Sequence, residues 1–225
     1  MSDGRGSVIA AVADLIATKP HDGPVRVAID GPDAAGKSTF ADELCWPIES
    51  AGRSVVRVTI DGFLRPRRER SEGNAQSAGG YYREAFDCDE FVRLVMAPLR
   101  HGGSRTIRQA ACDYRADIRT VGEPLLVEDD AVVIVDGVFL QRPAFRGDWD
   151  VVIYVQVSEE ETLARARIRD AELFGGVAET ERRYRERYLP AQTLYREEVD
   201  PMIHAHVVID NEDPAQPVLL RSDLP

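Results

Sequence analysis

Lysine is nearly missing from this chain of 225 residues: of 28 basic residues only Lys19 and Lys37 are lysine. A lysine that falls inside a functional pattern therefore carries more weight than usual. Cysteine is scarce as well. Cys45, Cys88 and Cys112 are odd in number and widely spaced, with no CxxC pair. This excludes a disulfide scaffold, argues against a structural zinc site, and points to reduced thiols in a cytoplasm. His204 and His206 could form a metal pair but lack a third ligand, so they are read as flanking a strand start. No apolar run approaches the roughly 18–20 residues that span a bilayer. The segment Val8–Ala17 contains Asp14, follows no basic cluster and has helical spacing. It predicts an amphipathic helix and not a signal peptide. An excess of positive charge is also absent: the formal net charge is −11, which argues against a nonspecific duplex-binding surface. Neither nucleic acid nor a membrane is expected as a partner.

What is present reads as an ordinary globular composition, 44% hydrophobic and 30% charged. The β-branched runs Val25–Ile29, Val55–Ile60, Val132–Val135, Val151–Val157 and Val207–Ile209 lack clean alternation, as strands buried on both faces do. Helical segments fall between them, near Lys37–Ser50, Asp89–Leu99, Glu159–Leu173 and Glu179–Glu198. This order predicts an α/β fold, a parallel sheet with helices on both faces. One domain over residues 1–225 is expected. Two pieces depart from the alternation: a small helical lid at about 159–187 and a β excursion at about 105–128. Gly175-Gly176, within Leu173–Thr180, reads as the lid's hinge, and Arg65–Tyr82 reads as a mobile loop. Such pieces sit where ligands are closed over.

Val25–Ile29 leads into Gly31-Pro32-Asp33-Ala34-Ala35-Gly36-Lys37-Ser38, which fits GxxxxGK[ST] in full, with Thr39 following. Glycines let successive backbone amides turn toward phosphate oxygens, and the next helix presents its positive end. Gly31 to Thr39 are thus the candidate nucleotide cradle. Lys37 is placed to reach the β- and γ-phosphates and the Ser38 hydroxyl to ligate magnesium.

Acidic residues follow two of the other strands. Val55–Ile60 ends in Asp61-Gly62-Phe63-Leu64, and carboxyl ends of parallel strands face the ligand crevice. A carboxylate at Asp61 can accept the proton of an attacking hydroxyl; the plain alternative is an Asx turn. Val132–Val135 ends in Asp136-Gly137, which resembles a Walker B strand. Asp136 is a magnesium candidate, directly or through water, with the same turn as its alternative. Within Glu159–Leu173, Arg165 and Arg169 share a helix face while Arg167 projects elsewhere. They form either a clamp on a transferring phosphoryl group or a solvated face paired with Glu159, Glu160 and Glu161.

From about Val25 to Pro214 the chain resembles the uridine kinase and phosphoribulokinase-like group of P-loop kinases. Beyond the loop, the resemblance rests on Asp61-Gly62-Phe63, Glu84-Ala85-Phe86-Asp87, Asp113-Tyr114 with Arg119, Asp136-Gly137-Val138, Arg165 to Asp170, and Ile209-Asp210-Asn211. It implies a P-loop NTPase fold, ATP and Mg²⁺ as cofactors, Asp61 as general base, and magnesium around Ser38 and Asp136. It also implies that Arg165 and Arg169 are lid arginines contacting phosphates and that Asn211 borders the adenine pocket. Tyr82, Asp87, Asp113, Tyr114 and Arg119 are what it leaves near the acceptor, with Arg65–Arg70 on the loop.

The chain departs from uridine kinases at several positions. Where they carry Tyr-Asp-Phe and then a histidine, it has Cys112-Asp113-Tyr114 and then Asp117. Tyr81 replaces the ribose-binding aspartate, and Thr162 a ribose-contacting arginine. Asp61–Leu64 also looks like the matching element of pantothenate kinases and some sugar kinases.

The expected activity is transfer of the ATP γ-phosphoryl group to a hydroxyl of a small metabolite. Uridine or cytidine is the family default, and a pantothenate- or sugar-like alcohol is the alternative. A catalytically silent nucleotide-binding module would not need Asp61 and Asp136. A GTP switch would need Asn-Lys-x-Asp, but Thr18 precedes Lys19 and Gly36 precedes Lys37. Assembly into a homo-oligomer is compatible with the family.

Overall fold

The computed structural model describes residues 4–71 and 77–223. Helix α1 (Gly4–Ala17) buries a stripe of Ile9, Val12, Ala13 and Ile16, as its helical spacing requires. Strand β1 (Val25–Asp30) then leads through the glycine loop into α2 (Lys37–Ser50). β2 (Val55–Thr59) ends one residue early: Ile60 joins a 3-10 turn, Ile60–Phe63, where the Thr59 hydroxyl accepts the Asp61 N–H. Two short helices, α3 (Arg67–Ser71) and α4 (Ala78–Glu84), occupy the ends of the stretch expected to be a loop. Its middle, 72–76, lies outside the described residues. α5 (Cys88–Phe91), a π turn at Val92–Met96 and α6 (Ala97–Leu99) follow without a break.

The excursion is built from two small antiparallel ribbons. β3 (Thr106–Ile107) pairs with β6 (Leu125–Leu126), and between them β4 (Cys112–Asp113) pairs with β5 (Ile118–Arg119). β7 (Val132–Asp136) and β8 (Val151–Gln156) return the chain to the main sheet. α7 (Glu159–Arg169) stops short of Leu173, and α8 (Ala171–Phe174) is a separate turn. The break is at Asp170, whose carboxylate accepts from Arg169 and from the Tyr184 hydroxyl. Gly175 and Gly176 then adopt φ of 87° and 133°, a left-handed pair that only glycine enters cheaply. α9 (Val177–Arg183), a π turn at Tyr184–Tyr188 and α10 (Leu189–Val199) run on, followed by α11 (Pro201–His204), β9 (Val207–Asp210) and β10 (Val218–Ser222).

The sheet order is β10-β9-β8-β1-β7-β2, all parallel except the edge strand β10. Sequence reading missed β10, whose alternating half-exposed residues carry little apolar signal. Successive residues of the central strands go to opposite cores. Val132, Ile134, Ile153 and Ile209 pack with α1 and α2, while Val133, Val135, Tyr154 and Val208 join Phe91, Phe139 and Tyr195. A satellite cluster of Leu163, Ala166, Tyr184 and Leu189 packs α7 against the Tyr184–Tyr188 turn and the start of α10. His206 is used structurally, its Nδ1 accepting the Val152 N–H at 2.9 Å. Among the described residues no helix is long and apolar enough to cross a membrane.

Candidate active site

Strand register brings the predicted residues to one level. Asp136 lies beside Ile29 on one side and Thr59 on the other, so β1, β7 and β2 end together. The loop leaves β1 at Gly31, with φ 151°, and a Cβ there would lie 2.3 Å from the Val155 carbonyl oxygen. Only glycine fits. Gly137 is equally constrained, since a Cβ would lie 2.1 Å from Ile60 Cγ2 and push on the turn that carries Asp61.

Beneath the loop, Asp30 is fully buried. Its carboxylate accepts from Gly31 N (2.9 Å), Gln141 Nε2 (3.0 Å), Leu140 N (3.3 Å) and the Tyr195 hydroxyl. Burial raises its pKa, and these donors pull it back. Tyr195→Phe should therefore cost about 1–3 kcal/mol, the usual loss when a buried polar group is left without its partner. Urea unfolding checks this, and an unchanged midpoint would remove the network from the account.

Lys37 folds over the loop, its Nζ donating to Pro32 O at 2.5 Å. Burial lowers its pKa, opposed by the charges of Asp33, Asp30 and Asp136. Ser38 Oγ donates to Asp136 Oδ2 at 2.5 Å, so the two predicted magnesium residues meet directly. A hydroxyl and a carboxylate are the hard oxygen donors that magnesium prefers, and the pair fits that ion. Arg57 donates to the other Asp136 oxygen at 2.8 Å and also to Asp42, which fixes the carboxylate. Sequence reading missed Arg57, although a lone arginine amid the valines of β2 is a visible anomaly.

Asp61 is open to water from the crevice yet walled by protein. Desolvation pushes its carboxyl up to about 6; the Lys37 charge works against this, and Asp33 and Asp136 add to it. That is the range in which a carboxylate serves as a general base near neutrality. Arg169 is bound to Asp170 and Tyr184, and its charge is felt at both Lys37 and Asp61.

Arg165 does not form a pair with Arg169. Its guanidinium donates to the Ala34 and Ala35 carbonyls (both 3.4 Å), to Asn211 O (2.6 Å) and to Glu161. Asn211 Nδ2 donates to Ala35 O at 2.8 Å, so Arg165 and Asn211 together brace one flank of the loop. Thr39 is exposed beside Ser38.

The acceptor candidates divide. Asp87 caps α5 and pairs with Arg119 at 2.9 Å and Arg65 at 3.4 Å; Arg119 also holds Glu69. Asp113 instead caps its own turn, accepting from Arg115 N and Ala116 N. Tyr114 is exposed, with Arg115 over its ring, and Asp117 accepts from Arg67 N. Tyr82 is buried against Phe139 and Tyr195. Tyr81, Tyr184, Tyr188 and Gln192, which sequence reading did not select for the site, gather around Asp33.

No family model matches the chain. A uridine kinase of Latilactobacillus sakei subsp. sakei is 25% identical over 159 residues, 70% of this chain and 72% of that protein. A pantothenate kinase of Shewanella sediminis is 30% identical over 191 residues, 78% of this chain but 58% of that protein. The solved structure of a possible uridine kinase from Bacillus stearothermophilus superposes with a TM-score of 0.74 at 22% identity, covering 90% of this chain and 97% of that one. The crevice and these similarities agree: the chain has the fold of the P-loop kinases and is similar in sequence to uridine kinases and a pantothenate kinase.

Proposed function

We propose that the protein transfers the γ-phosphoryl group of ATP, with Mg²⁺, to a hydroxyl of a small metabolite. One observation carries this: β1, β7 and β2 end at one level beside the phosphate loop, where Ser38 Oγ meets Asp136 Oδ2 at 2.5 Å and the charges of Lys37 and Arg169 are felt at Asp61. Ser38 and Asp136 would hold the magnesium, which when bound would offset negative charge on the triphosphate. The loop amides orient the triphosphate, and Arg165 and Asn211 keep the loop's flank in place. Asp61 takes the proton of the acceptor hydroxyl as it attacks. Lys37 and Arg169 stabilise the charge spread over the transferring group. Little covalent work falls to the protein, so placement and electrostatics dominate the rate.

Uridine and cytidine are the acceptors the family suggests. A specific observation favours a non-nucleoside alcohol as a second reading: Asp113 and Asp117 accept from backbone amides and Tyr114 is exposed, so the residues at the positions uridine kinases use for the pyrimidine are committed elsewhere. ADP release is measured with uridine, cytidine, pantothenate, D-glycerate and simple sugars at equal concentration. At least one should stimulate ADP formation far above the acceptor-free rate. Uridine at kcat/KM above roughly 10⁴ M⁻¹s⁻¹, well ahead of the others, would establish the nucleoside reading, since that is an ordinary enzyme value. No stimulation by any acceptor would sink the kinase proposal.

A further inference from the structure

Asp33 is an odd residue for a phosphate cradle. A carboxylate repels phosphate, so its side chain has no favourable place on the triphosphate. The structure accounts for where it goes instead. Tyr81 of α4 donates its hydroxyl to Asp33 Oδ1 at 3.1 Å, and Gln192 of α10 donates Nε2 to Oδ2 at 3.1 Å. These elements differ from the ones that hold the Ala34 and Ala35 carbonyls, which are α7 and the residue after β9. Asp33 is half-buried, and among the described residues it has no ion pair. An ionised carboxylate offers about four lone-pair sites, and two neutral donors leave the remainder for a ligand.

Tyrosines wall the surrounding space. The Tyr81 and Tyr188 rings meet edge to face at 4.8 Å, and Tyr184 and Tyr188 at 4.9 Å. The Asp33 charge is felt at Tyr81, Tyr184 and Tyr188 on this wall, and at Lys37 and Asp61 on the catalytic side. Asp33 is therefore tied by Tyr81 to the aromatic wall while its charge reaches the proposed base.

We propose that Asp33 determines acceptor specificity, its carboxylate accepting a hydrogen bond from a second hydroxyl close to the one that is phosphorylated. The acceptor is then a diol or polyol, and Tyr81 and Gln192 are positioning residues that hold the carboxylate out to it. This rests on the kinase reading above and adds the chemical class of the acceptor. A site built to bind a hydroxyl disfavours the analogue that lacks it, because its polar group then loses a partner that the bound analogue also shields from water.

The test compares acceptors in pairs that differ by one hydroxyl: D-glycerate with 3-hydroxypropanoate, and uridine with 3′-deoxyuridine. Wild-type protein should prefer the hydroxylated member of whichever pair it turns over by about 10- to 100-fold in kcat/KM, the usual worth of a hydrogen bond to a charged group. Asp33→Ala should erase that preference through the hydroxylated member's KM, with the KM for ATP within about twofold of wild type. Asp33→Asn, which keeps an acceptor oxygen, should restore part of it and serves if the alanine variant does not fold. Tyr81→Phe should weaken the preference without abolishing turnover. Equal losses for both members of a pair, or a loss confined to the KM for ATP, would make Asp33 a strut of the loop and overturn the inference. No ADP from any acceptor would overturn the kinase reading itself, and the inference with it.

Discussion

Lys37→Ala should lower kcat by on the order of a thousandfold or more, the range for removing a preorganised charge from a phosphoryl-transfer site. The fold should survive. Lys37 is buried, but burial penalises its charged form, so the native environment already works against the ammonium. Its lowered pKa means the charge costs stability at neutral pH, a cost that disappears as pH rises and the ammonium loses its proton. Truncation removes this cost together with the contact to Pro32 O, and the two changes oppose each other. Far-UV circular dichroism and the urea midpoint should stay near wild type while ADP release collapses. Lys19, the chain's other lysine, makes the control: it lies in the connection between α1 and β1, and Lys19→Ala should leave turnover unchanged. Wild-type turnover in folded Lys37→Ala protein would remove the loop from the chemistry.

The phosphate loop was legible because its chemistry is local: eight consecutive residues carry it, and strand and helix patterning flank it. The sheet was legible for a related reason, since strands covered on both faces show as valine and isoleucine runs. Long-range partners left no such mark. Tyr81 read as the loss of a carboxylate, whereas in the fold its hydroxyl supports Asp33, 48 positions away. Arg165 and Arg169 share a helix face by spacing, yet one braces the loop and the other faces Asp170 and Tyr184. Spacing sets the face of a helix and says nothing about what opposes it. Asp113 and Tyr114 stood out in sequence for their resemblance, but the tight β4–β5 turn consumes the first and exposes the second.

The largest single change in pH behaviour should come from Asp61→Asn. As a base Asp61 works only when deprotonated, and its carboxyl sits at about 6. Wild-type kcat/KM should therefore rise with pH through about 6 and level off above it, since that ratio reports groups of the free enzyme. In Asp61→Asn the limb should vanish and kcat should fall by about a hundredfold to ten-thousandfold, the usual contribution of a positioned base. The KM for ATP should change little, because the role proposed for the carboxylate is toward the acceptor hydroxyl and not the nucleotide. Stability should move the other way. A carboxyl raised above its ordinary 3.8 favours the protonated form in the fold, so ionisation withdraws stability as pH climbs from that value through about 6. Asparagine cannot ionise, and the variant should melt higher than wild type at pH 8 but not at pH 3. Slower turnover with a higher melting temperature above pH 6 is the signature of a group whose fold keeps it poised for proton transfer at the expense of its own ionisation. A variant that retained the wild-type limb near pH 6 would assign the proton to another group, and normal kcat would take Asp61 out of the mechanism.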